Sequence, residues 1–242
     1  MNDLQKMEQE KSVLRWGGLS GLMGVFFFFL VMIVVGVFIP PDPTDLQEWV
    51  TRFPDIRVVR IIENGIYLAA LLFEVPLFLA LYRALRKTSL APALFGSALG
   101  LVGLVVFMIS TTPHVAHAPL SDLYHAPGAT PADQATLALL WQAIWGINDS
   151  MLYVGFFVVP IGIILLGVAM LGAPTFGKGF GGVSGVLGVV GLVAAVLQMV
   201  DPSSMIGAGS YFACLIFYLV MGWKVYKLSR ATYEQSNIEG NS

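Results

Sequence analysis

Charge is missing from long stretches of this chain. Trp16 to Ile39 runs 24 residues without Asp, Glu, Lys or Arg, and 90–112, 150–177, 179–200 and 205–223 are likewise uncharged. Ile61 to Tyr82 is interrupted only by Glu63 and Glu74. About 20 helical residues cross a hydrocarbon core. There each segment must satisfy its own backbone hydrogen bonds, which only a helix does in one strand. The pattern predicts an all-α polytopic membrane helix bundle with six spans, at about 16–39, 57–82, 90–112, 147–172, 179–200 and 205–223. Residues 1–15 form an N-terminal segment and 231–242 a tail expected to be disordered. The first apolar run is too long for a signal-peptide core and lacks an A-x-A-like site, so it is expected to stay as span 1.

The connecting segments carry their own signals. Thr44 with Gln47 three residues on is a capping-box start. Leu46, Trp49, Val50 and Phe53 then recur at helical spacing, which fits a short interfacial helix with Trp49 at headgroup depth. Thr130-Pro131-Ala132-Asp133 supplies an N-cap, a first-turn proline and an acidic third position. A helix starting there and running to span 4 is too long for one crossing, so it either projects from the membrane or bends near Gly146. Pro76 and Pro160 each remove a backbone donor and are expected to kink spans 2 and 4.

Composition sharpens this picture. Apolar residues make up 57% of the chain and charged ones 12%, about half the charge of a soluble domain. Lys and Arg sort by side. Lys6, Lys11, Arg15, Arg83, Arg86, Lys87, Lys178, Lys224, Lys227 and Arg230 fall on one side of six spans, and only Arg52, Arg57 and Arg60 on the other. The positive-inside rule then predicts a multi-pass cell-membrane protein with both termini cytoplasmic and an acidic outer face. The single cysteine, Cys214, excludes an intrachain disulfide.

Odd and even spans each repeat a motif. Gly17, Gly21 and Gly24 recur in spacing as Gly96, Gly100 and Gly103, and again as Gly181, Gly185 and Gly188, each set following an aromatic residue. Small residues at this spacing let membrane helices approach closely, so these nine are expected at packing faces. Asn64 precedes Pro76 by twelve residues, as Asn148 precedes Pro160. Three tandem two-helix hairpins, the last diverged, would produce this internal repeat.

Candidate chemistry centres on Glu74, near mid-membrane, where a charge costs at least ~2.5–3.5 kcal/mol. It must be neutral, paired or hydrated. Glu63, Tyr67 and Glu74 share a stripe with Asn64 beside it, while Asn148, Asp149 and Tyr153 mark the outer end of span 4. Together they predict a ligand-binding or proton-linked site in an outward-facing polar cavity. Glu74 could equally be neutral and structural, bonded to a carbonyl freed by a proline. His114, His117 and His125 lie in one outer segment and are weak metal candidates, since loop histidines are ordinarily solvated. No cofactor is expected, and no haem-type histidine pair, phosphate loop or nucleic-acid patch is present.

The run Glu74-Val75-Pro76, followed by Leu81-Tyr82-Arg83-Ala84-Leu85-Arg86 and a Gly-spaced span to Gly103, resembles a bacterial family of small six-helix integral membrane proteins with a domain of unknown function. So does Gly155-Phe156-Phe157-Val158-Val159-Pro160 with the Gly-rich span that follows. The resemblance covers spans 2 to 5 and implies the fold but no activity. This chain departs from it in its histidine-containing segment and in lacking an acidic residue at Val158. The expected function is binding or transport of a small molecule, a lipid or protons. The alternatives are a membrane enzyme with an extracytoplasmic metal site and a non-catalytic membrane subunit. Expected partners are the bilayer, a small molecule or lipid, and a second copy of the chain in a homo-oligomer, but no nucleic acid.

Overall fold

The computed structural model describes the backbone of residues 3–41, 43, 45–201, 206 and 208–239, and the side chains of these except 3, 4, 6, 113, 114 and 231–239. The described residues are all-α, with no strand. The elements are α1 (Asp3–Phe38), α2 (Leu46–Thr51), α3 (Phe53–Leu85), α4 (Leu90–Ser110), α5 (Thr112–Tyr124), α6 (Pro131–Leu171), α7 (Gly177–Val200) and α8 (Ala208–Glu239). Six helices are long and apolar enough to cross a membrane, carried by α1, α3, α4, α6, α7 and α8. Phe26, Phe29, Ile33, Val102, Val186 and Val190 point outward and exposed, an arrangement tolerable only against lipid.

These six helices close a ring in chain order, α8 returning to α1. Lipid provides no hydrophobic drive for helices to associate, so close backbone approach holds such a ring together. Gly17 lies on the Pro76 carbonyl and Ala80, Gly21 on Leu77, and Gly24 on the Glu74 carboxyl. Gly96 lies on Gly162 and Leu166, Gly103 on Val159, and Gly100 against the Phe78 ring. The α7 stripe turns the other way. Gly181 and Gly188 pack on α6 at Gly167 and Pro160, and Gly185 gives its backbone to Gly167. The α1 stripe thus serves the next span, the α4 stripe serves α6 through Gly96 and Gly103 while Gly100 receives Phe78 of α3, and the α7 stripe serves the span before it.

At the end holding the N-terminus, Glu10 pairs with Arg83 at 2.8 Å and Lys87 at 3.3 Å. At the distal end, α2, the start of α3, α5 and the first turns of α6 build a separate small core of Val50, Phe53, Tyr124, Ala138 and Trp141. Thr44 lies outside the described residues, and the N-cap of α2 is Asp45, which accepts from the Gln47 N–H at 3.2 Å. The segment after α4, read as a loop, is the helix α5, with a proline at its start where a missing N–H is harmless.

α6 begins at the Thr130 capping box. The Asp133 N–H donates to Thr130 Oγ1 at 3.2 Å, and the Thr130 N–H donates to Asp133 Oδ2 at 3.0 Å. It continues through Gly146 and Pro160 as one helix of 41 residues. At 1.5 Å per residue that is roughly 60 Å, about twice a hydrocarbon core, so the helix projects. α8 likewise runs on past Arg230 to Glu239, through 231–239 where the sequence reading places a disordered tail. That stretch holds no Gly or Pro to stop it before Gly240.

Candidate functional site

Pro76 and Ala80 bring α3 against the α1 glycines, and this contact positions Glu74. The side chain is fully buried, and neither carboxyl oxygen has a hydrogen-bond partner. Without a Cβ, Gly24 lets α1 come down over Oε1 and shut the carboxyl away from one side. A buried acid without partners is unusual, since nearly all buried polar side chains are satisfied.

One and two turns from Glu74, Leu71 and Tyr67 line a cavity closed by Phe28 of α1, Phe107 of α4, Phe156 of α6, and Tyr211, Cys214, Leu215 and Tyr218 of α8. It encloses about 290 Å³ of non-atom space, narrow enough to leave room for roughly one water molecule. Phe28 organises its wall, meeting Tyr67 edge-on at 5.8 Å and Tyr211 at 5.7 Å, and stacking on Tyr218 at 6.4 Å. Cys214 and Tyr218 both lie within electrostatic range of Glu74. The Tyr218 hydroxyl, like the carboxyl, is buried without a hydrogen-bond partner. Two unsatisfied polar groups therefore share one region of the bundle interior, near the Cys214 thiol.

The sequence-predicted site residues separate into three groups. Tyr67 and Glu74 belong to this central region. Glu63 instead pairs with Arg60 at 3.0 Å, both side chains being largely covered. Asn64, beside it, is half-buried. Asn148 is buried and donates to Asp149 Oδ1 at 3.2 Å, and half-buried Tyr153 lies one turn further on. Of the seven residues only Tyr67 lines the cavity, whose wall is aromatic rather than acidic. α3 and α6 barely meet, and α8 supplies the groups that face Glu74. Sequence reading overlooked Tyr211, Cys214 and Tyr218 because tyrosine and cysteine count as apolar within a span. The one available signal was their spacing, 211, 214 and 218, a single helical face.

The histidines also differ from expectation. His117 is 1% exposed rather than solvated, stacked on Trp141 at 4.0 Å and on Trp145 at 5.7 Å. His125 Nδ1 hydrogen-bonds the Ser121 carbonyl at 2.8 Å. The side chain of His114 lies outside the described residues. Among the described residues no group of three or more His, Cys, Asp or Glu is placed to hold a metal ion. No protein-family model, curated protein or solved structure matches the chain.

Proposed function

We propose that this membrane protein binds or transports a small molecule or a proton through Glu74, with the aromatic cavity as the approach and the present conformation occluded. The observation that supports this is a fully buried carboxyl, both oxygens without a partner, beside a water-sized cavity that also holds an unsatisfied tyrosine hydroxyl. An ionised carboxylate in that place would cost several kcal/mol. An apolar residue of similar size would carry no such penalty. Ionisable groups inside a membrane bundle are candidates for function for this reason. A neutral acid donates one hydrogen bond and accepts others, so a ligand or an entering water could satisfy Glu74 and Tyr218 together. In this reading the site lies between α1, α3 and α8 rather than between α3 and α6.

The test is infrared spectroscopy of the carboxyl stretch, with Glu74 assigned by difference from Glu74→Gln. A working group should show a neutral-acid band at neutral pH that shifts on transfer to D2O within minutes and titrates as the pH is raised. A band that neither exchanges nor titrates would mark a sealed structural acid. It would favour a non-catalytic subunit held together by its glycine faces.

A further inference from the structure

A second site stands at the distal end, remote from Glu74 in role and composition. There α2, the start of α3, α5 and α6 form a tight recess, about 280 Å³ of non-atom space with room for roughly one water, lined by Arg52, Arg60, His117, Trp141 and Trp145. A wider groove of about 500 Å³ adjoins it, walled by Leu46, Trp49, Trp141, Gln142 and Trp145. Trp49, Trp141 and Trp145 are common to both.

Apart from the His117 ring, the polar lining of the recess is one-sided. Arginine and the indole N–H donate and cannot accept, and no carboxylate lines either space. Arg52 donates to the Pro41 carbonyl at 2.7 Å, and Arg60 to Glu63 Oε2 at 3.0 Å. Each guanidinium also lies over an indole, Arg52 over Trp49 at 5.5 Å and Arg60 over Trp145 at 6.0 Å. Those aromatic faces already hold cations, so a further cation would meet like charge. Trp141 supplies the independent observation. It is 3% exposed, and its indole nitrogen is buried with no hydrogen-bond partner. A buried N–H beside two guanidinium groups, without an acceptor, fits an anion.

The groove identifies what carries that anion. It is apolar, continuous with the recess, and walled by tryptophans, which gather where hydrocarbon meets headgroups. We propose that this end of the bundle binds the phosphate headgroup of an anionic phospholipid. The phosphate sits in the groove at the mouth of the recess, on the side of Arg52, Arg60 and Trp141, where a side-chain shift brings their donors to it, and the acyl chain lies along Trp49 and Trp145. Guanidinium groups suit phosphate because their planar donors match its oxygens. A zwitterionic headgroup would bring a quaternary ammonium towards two arginines and is disfavoured.

The test uses the full chain in maltoside micelles, titrated with dioleoylphosphatidylglycerol, dioleoylphosphatidylcholine or inorganic phosphate, with retained ligand read by native mass spectrometry. Phosphatidylglycerol should bind at least about tenfold tighter than either alternative. Trp141→Phe keeps the ring and deletes the N–H. Arg52→Gln keeps a donor and deletes the charge. Each should weaken phosphatidylglycerol by about tenfold, the scale of a hydrogen bond to a charged group, with the helical circular dichroism unchanged. Should Trp141→Phe not fold, Arg52→Gln carries the comparison. Equal retention of the two lipids overturns the assignment, as does unaltered binding in the folded variants. Inorganic phosphate binding as tightly as phosphatidylglycerol would make this a site for a soluble anion and overturn the lipid assignment.

Discussion

Adding one methyl group to Gly24 tests whether Glu74 is held as tightly as the packing indicates. A Cβ there would press into Glu74 Oε1 and lie 2.8 Å from Cδ and 3.0 Å from the Ala70 carbonyl oxygen. Favourable carbon contacts begin near 3.5 Å. Overpacking of this kind costs roughly 1–3 kcal/mol, and the upper half of that range applies because the Ala70 carbonyl belongs to helix backbone and cannot turn aside. Glu74→Ala alone should be close to neutral. It removes a buried unsatisfied acid, a relief of about 1–3 kcal/mol, and forfeits about two methylenes of packing at about 0.8 kcal/mol each plus a small cavity. Combined with Gly24→Ala it also removes the Oε1 and Cδ overlap while the Ala70 contact stays. The double variant should therefore be more stable than the sum of the singles by about 1–2 kcal/mol, well outside the additivity expected of distant sites. Gly24→Ala with Glu74→Gln should show no such rescue, since the amide has the same bulk. Cys214, buried and the chain's only cysteine, serves as the probe. A thiol-reactive fluorophore labels it only on unfolding, giving a midpoint for each variant. Additivity within about 0.5 kcal/mol, or equal rescue by Gln, would refute the steric account of how α1 seals the carboxyl.

Four further outcomes are expected. His117→Ala should destabilise the distal core by about 1–3 kcal/mol through loss of its stacking on Trp141, and His117→Phe should recover most of it in thermal unfolding. Thr130→Ala should cost about 1 kcal/mol at the start of α6, seen as faster amide hydrogen exchange over 132–134 with the rest of the helix unchanged. The half-exposed Glu10–Arg83 pair should give a double-mutant coupling below about 1 kcal/mol that fades with added salt; a larger, salt-independent value would mean the pair is shielded from solvent. Reporter fusions after Arg86 and Arg230 should read cytoplasmic and one near Ala129 external, and a cytoplasmic signal at Ala129 would overturn the proposed orientation.

What could be read in advance follows from how each feature is encoded. The spans were legible because charge exclusion over some twenty residues has no other stable home. The start of α6 was legible because its whole signal lies in four consecutive residues. α5 was not, because Pro113, Pro119 and three histidines resemble a loop to any local rule, and its helix is held by packing against Phe53 and Trp141. The site was half legible. Glu74 announces itself as an acid in an apolar span, whereas the residues facing it on α8 are tyrosines and a cysteine, whose polar atoms disappear into a hydropathy average. Pairing across the bundle is a tertiary fact. The glycine spacings marked faces that approach closely but not which neighbour each face meets, and the α7 stripe meets α6 rather than α8.

The length of α6 has a mechanical consequence. Trp141 and Trp145 stand in the distal cap, and Phe156 in the wall of the central cavity, on one uninterrupted rod. The separation from Trp141 to Phe156 is about 22 Å of helix. A helix resists bending far more than side chains resist rotation, so a tilt imposed at the cap cannot be absorbed along the way. Phe156 is in edge contact with Phe107 at 4.8 Å, and any swing of the rod has to open or close that contact. A tilt of the distal end of α6 should therefore reach the cavity wall at Phe156.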